Sequence, residues 1–144
     1  MYSFEQQNPG LSTESWLCQV LNYLGQGMQC VLVTIVETKG STPRNVGAQM
    51  IVTADGIWQT IGGGALEFDL IARAKVMLVS SGSNAWSRDL VKVTLGPDMG
   101  QCCGGSLSLL LEKFGPTEEP TLKAIAAVAD VNTKLIHPFV NSIP

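Results

Sequence analysis

Charge is what this sequence has least of: Asp, Glu, Lys and Arg make up 15% of its 144 residues, against about a quarter in ordinary soluble domains. A surface so thinly charged must be polar-neutral, glycine-rich or covered, and a homodimer is the expectation it raises. The net charge is −3, so no basic field exists to hold phosphate backbones, which excludes nucleic acid as a partner. No apolar run reaches the roughly 20 residues of a membrane span. The stretch Met1 to Gly10 carries Glu5 and neither the basic nor the apolar region of a secretory signal, and the chain is read as cytoplasmic with no membrane partner. The one histidine, His137, stands before Pro138 in a weakly periodic tail and is read as incidental. Neither an internal repeat nor a low-complexity tract occurs.

What is there begins with cysteine. Cys18, Cys30, Cys102 and Cys103 could form a disulfide set, but a chain that is 45% hydrophobic needs no such staples. All four are therefore read as thiols. Cys18 falls off the apolar stripe of its helix and is given a structural or incidental role. Cys102 and Cys103 are different, because they are adjacent and sit in Gly100-Gln101-Cys102-Cys103-Gly104-Gly105. Neighbouring side chains on a strand point to opposite faces, so burial alone would rarely select both. Glycines on either side let another molecule approach the main chain.

Hydrophobic period lays out the elements around that stretch. Trp16, Leu17, Val20, Leu21 and Leu24 recur at helical spacing after N-cap candidates from Ser12 to Ser15, and Gly25 or Gly27 stops the helix. Cys30 to Thr38 is nearly continuous and β-branched, the pattern of a central strand buried on both faces. Ala48 to Thr53 and Ile57 to Ile61 flank the hairpin signal Ala54-Asp55-Gly56. Ser87 to Leu95 and Ser106 to Phe114 read as strands on either side of the cysteine loop, and a last helix runs from about Thr121 to Ala129. The fold class is a single α/β domain with a mixed β-sheet of about four to five strands flanked by helices.

Two further stretches carry chemistry. Lys39 to Gly47 is a long shaped loop whose Arg44, among Ser41 and Thr42, suits a phosphate or carboxylate. Gly62, Gly63 and Gly64 then end a strand and open a helix near Ala65, which leaves N–H groups at the positive end of the helix dipole. Glu67 in the first turn would cap it or accept a bond from a ligand. This spacing is not that of a dinucleotide fingerprint or a P-loop.

Read together, KGSTPR with GAQM (Lys39 to Arg44, Gly47 to Met50), TIGGGALE (Thr60 to Glu67) and LGPDMGQCCGG (Leu95 to Gly105) resemble the N-terminal domain of the xanthine dehydrogenase accessory factors, the XdhC/CoxI family. The resemblance covers about Leu11 to Phe114. It implies a chaperone rather than an enzyme, one that binds the molybdenum cofactor (molybdopterin), assists its sulfuration with a cysteine desulfurase, protects it, and delivers it to the large subunit of a xanthine dehydrogenase-type enzyme. Cofactor-binding residues carried over by the motifs are Cys102, Cys103, Gln101, Arg44, Gly62, Gly63, Gly64 and Glu67, with Cys102 and Cys103 as thiolate neighbours of molybdenum.

Residues 1–115 form the family-like domain on this reading, and residues 116–144 a helical tail or the start of a linker. The glycine-rich fingerprint of the Rossmann domain usual in the family does not appear after Phe114. Two other classes stay open: a redox or sulfur-transfer enzyme using the Cys102-Cys103 pair, for which no base is legible, and a non-catalytic interaction module.

Overall fold

The computed structural model describes residues 15–80, 87–96 and 104–131. In chain order these form α1 (Trp16–Gly25), β1 (Cys30–Lys39), β2 (Gln49–Val52), β3 (Ile57–Trp58), α2 (Gly64–Val79), β4 (Arg88–Thr94), β5 (Ser106–Phe114), a 3-10 turn (Pro116–Glu118) and α3 (Glu119–Val131). The N-cap candidates Ser12 to Glu14 and the tail bearing His137 lie outside the described residues, and Ser15 takes the N-cap position of α1.

The strands make one five-stranded sheet in the order β3-β2-β1-β5-β4. Thus β1 is central, as its unbroken run of apolar residues requires, and its first six positions are buried. Every strand pair is antiparallel. The mixture expected of the sheet shrinks to a single isolated parallel bridge, Ser41 to Gly104, outside the named strands. The reason is the connections: β2 and β5 both pair with β1, and only a crossover could have made either of them parallel to it. β3 is two residues long rather than the five read from Ile57 to Ile61, because Gln59 turns the chain at φ 64°.

Alternation along each strand splits the core in two. Cys30, Leu32, Ile51 and Phe114 point to the face covered by α1 and α3, where they join Leu17, Val20, Leu21, Leu24, Leu122 and Ala126. Val31, Val33, Ile35, Met50, Val52, Leu107, Leu109 and Leu111 point to the other face, under Leu66, Leu70 and Ala74 of α2. Helices on both faces therefore sandwich the sheet. Each fully buried Leu or Ile contributes about 2 kcal/mol, so the sheet centre is where most of the stability resides. Cys18 is fully buried although it lies off the apolar stripe, because α1 packs on α3 as well as on the sheet.

Among the described residues, the buried polar side chains of the strands, Thr34, Ser108 and Glu112, alternate with the apolar ones that face α2 and so lie on the α1/α3 side. Thr34 is buried, and among the described residues its Oγ1 finds no hydrogen-bond partner. Glu112, opposite Leu32 and Arg88 in the ladders, is fully buried, with Arg88 Nε 3.6 Å from its Oε2. Burial pushes its carboxyl up to about 7, against the opposing pull of Arg88. Cys30 lies in the same layer, its thiol pushed up to about 12 by burial and by Glu118. That places Cys30 outside nucleophilic chemistry at neutral pH.

Candidate functional site

Antiparallel pairing decides where the loops meet. The end of β1, the start of β2, the end of β3, the end of β4 and the start of β5 all lie at one end of the sheet. The segments that follow or precede them there are Gly40–Gly47, Gln59–Gly63 and the stretch that leads into Ser106. The first two motif stretches legible in the sequence, and the described ends of the third at residues 95–96 and 104–105, thus gather at one rim.

Close contacts join them. Ser41 bridges Gly104, and a Cβ built on Gly105 would lie 2.2 Å from the Ser41 carbonyl oxygen and 2.6 Å from that of Lys39. Only a residue without a side chain fits there. The Leu95 N–H donates to the Gly105 carbonyl at 2.7 Å, which ties the two ends of the cysteine loop together. Gln101, Cys102 and Cys103 themselves lie outside the described residues.

On its other side the 40–47 loop leans on the glycine turn. A Cβ on Gly62 would sit 3.1 Å from Cβ and Cγ of Pro43, and Gly62 has φ 141°. Arg44 Nη1 donates to the Thr60 carbonyl at 3.3 Å, its one side-chain hydrogen bond among the described residues, and Thr42 Oγ1 donates to the Arg44 carbonyl at 3.0 Å. The loop returns to the sheet through Gly47 N–H to the Ile35 carbonyl at 2.8 Å and Ile35 N–H to the Ala48 carbonyl at 3.0 Å. A register irregularity between Ile35 and Glu37 falls at this same level, where it strengthens the local twist.

The turn before α2 is fixed by its own helix. Glu67 Oε1 accepts from Thr60 Oγ1 and from the Ile61 N–H at 3.1 Å, and Thr60 Oγ1 accepts from the Gly62 N–H at 3.2 Å. Glu67 therefore builds the turn, with one carboxylate oxygen committed to holding it. Gly62, Gly63 and Gly64 all have positive φ, a run open only to glycine, and no side chain caps α2 at Gly63. The outcome is a helix N-terminus without a side-chain cap, next to Arg44. Among the described residues no group of three or more His, Cys, Asp or Glu could hold a metal ion.

The structure thus brings Arg44, Gly62, Gly63, Gly64 and Glu67 to one rim, with Gly104 and Gly105 against Ser41. Pro43 and Thr60 belong to it too, although sequence reasoning does not single them out. Their signal is local: a hydroxyl two residues before a glycine run with an acid seven residues on, and a proline whose ring needs a partner lacking Cβ.

Residues 23–89 match the model of the XdhC and CoxI family. A crystal structure from Bacillus halodurans, described as a xanthine dehydrogenase, superposes with a TM-score of 0.64 at 27% identity, over 78% of this chain and 34% of that one. This chain therefore spans about a third of the length of that protein. No curated protein matches it.

Proposed function

We propose, from the XdhC and CoxI match over residues 23–89, that this chain binds the molybdenum cofactor as an accessory protein in the maturation of a xanthine dehydrogenase-type enzyme. The observation that supports this reading most is the convergence of the three motif stretches, with Ser41 on Gly104 and Pro43 on Gly62.

The residues fit the group at its phosphate end. A terminal phosphate suits the N-terminus of α2, which has no side-chain cap, and the guanidinium of Arg44 beside it. Cys102 and Cys103 would then neighbour the metal end as thiolates, with Gln101 beside them. When bound, the cofactor supplies the molybdenum centre that the client enzyme uses. This chain's own part is to grip the phosphate, exclude water and hand the group on. On this reading the partners are the large subunit of the client enzyme and a cysteine desulfurase, the chain acts in the cytoplasm, and it does so as a homodimer.

The test is the fluorescence of pterin extracted from protein purified out of a host that makes the cofactor. Wild type is expected to carry pterin, Arg44→Ala to carry several-fold less, and Cys102→Ala with Cys103→Ala to lose retention. Absence of pterin from wild type would sink the reading. Unchanged retention in the double cysteine variant would remove the thiols from it.

A further inference from the structure

Arg44 stands apart from the other arginines of the chain. Arg73 Nε lies 3.8 Å from Asp69 and Arg88 Nε 3.6 Å from Glu112, whereas Arg44, exposed, forms no ion pair among the described residues. Its guanidinium is nevertheless held, by the carbonyl of Thr60. The fold does not need that bond to place the loop, because Gly47 ties the loop to β1, Pro43 rests on Gly62 and Ser41 bridges Gly104. What the bond fixes is the side chain.

Thr60 is itself held from the other side. Its Oγ1 donates to Glu67 Oε1 and accepts from the Gly62 N–H at 3.2 Å, and the same Oε1 accepts from the Ile61 N–H at 3.1 Å. The residue before it, Gln59, has φ 64°, the one positive value outside glycine among the described residues. A side chain in that region costs energy and persists only where its surroundings hold it. Thr60 thus stands between carboxylate and guanidinium, so that Glu67 acts on Arg44 without pairing with it and neutralising its charge.

We propose that Thr60 and Glu67 are positioning residues for Arg44, and that their chain of hydrogen bonds holds the guanidinium ready for the anionic end of a ligand at the rim. A ligand that meets a guanidinium already in place does not bear the cost of ordering it, a difference of about two- to tenfold in affinity for one long side chain. The nature of that anion rests on the cofactor reading. The positioning role does not.

The experiment titrates inorganic phosphate into the full chain, followed by the amide resonances of Gly62 to Gly64, with urea unfolding of every variant alongside. Arg44→Ala should raise the dissociation constant about tenfold or more. Thr60→Val keeps the carbonyl and the shape but loses the hydroxyl. It should raise the constant about two- to tenfold alone and no further when combined with Arg44→Ala. Its cost in stability should be the same in both backgrounds, since the bonds to Glu67 and Gly62 do not involve Arg44. Glu67→Ala should weaken phosphate binding as Thr60→Val does, although it removes a negative charge, and Glu67→Gln, which keeps the acceptor oxygen, should restore it. Phosphate that leaves these resonances unmoved overturns the proposal. So does a Thr60→Val effect of equal size with and without Arg44, or a Glu67→Ala variant that binds phosphate more tightly than wild type. Coupled phosphate binding in a protein that carries no pterin would uphold the positioning role and remove the cofactor reading.

Discussion

The two ends of the sheet are finished in opposite ways. At the end distant from the motifs, the chain reverses through turns that its own side chains close: Thr53 Oγ1 accepts from the N–H groups of Asp55 at 3.3 Å and Gly56 at 3.2 Å, and Glu118 Oε2 accepts from the Gly115 N–H at 2.7 Å. At the motif end, glycine backbones press on neighbouring backbones, and a helix N-terminus is left without a side-chain cap. A turn closed by side chains is complete in itself. A rim held by contacts between distant loops depends on glycine backbone at the points of contact.

Substitutions at the two ends should therefore behave differently. The largest effect is expected at Gly105→Ala. Its Cβ would overlap the Ser41 carbonyl, a backbone atom that cannot turn aside, so urea unfolding should show a loss of more than about 4 kcal/mol or no folded protein. A loss below about 1 kcal/mol would show that the Gly40–Ser41 and Gly104–Gly105 segments are not pressed together.

Next comes Glu112, near the other end of the sheet. Its carboxyl is raised in the fold to about 7 from an ordinary 4.5, so the folded state holds a proton that the unfolded state has released. Stability from this group is fully present below about pH 4.5 and is lost as pH rises through about 7. The stability of wild type relative to Glu112→Gln should fall by on the order of 3 kcal/mol between pH 4 and pH 8. A flat difference curve would mean that Arg88 compensates the burial fully.

Gly62→Ala should be milder. It places a Cβ 3.1 Å from the ring of Pro43, whose position can give a little, in a backbone conformation at φ 141° that alanine resists. A loss of about 1–3 kcal/mol in thermal or urea unfolding is expected. Smallest of all is Gly56→Ala at the opposite end, where a Cβ meets nothing within 4 Å and φ is not positive; stability should stay within about 0.5 kcal/mol of wild type. A Gly56→Ala loss equal to that of Gly62→Ala would erase the contrast between the two ends.

Much of this architecture was legible in the chain. The run from Cys30 marked β1 as the central strand because a strand covered on both faces cannot alternate. The glycine run that opens a helix near Ala65 places α2 within a residue of its observed start at Gly64. Leu107, Leu109 and Leu111 share a face, as alternation along a strand requires. Other features were not legible. Cys18 looked peripheral because a helical stripe shows one contact face, while α1 has two. Glu112 reads as one charge in SLSLLLEKF, and its burial arises only where β5 lies between β1 and β4.

The candidate rim divides in the same way. Sequence by itself determined its parts, since glycine runs, a lone arginine and hydroxyl-rich loops follow from which backbone conformations and donors each residue type allows. The tertiary structure alone decided that they meet. Antiparallel pairing put the loops after β1 and β3 and the stretch before β5 at one end, and the absence of side chains at Gly62 and Gly105 let them close. It also decided that Glu67 holds the turn through Thr60 and Ile61, a role that helix position alone leaves open because a carboxylate reaches whichever donors the preceding chain brings to it.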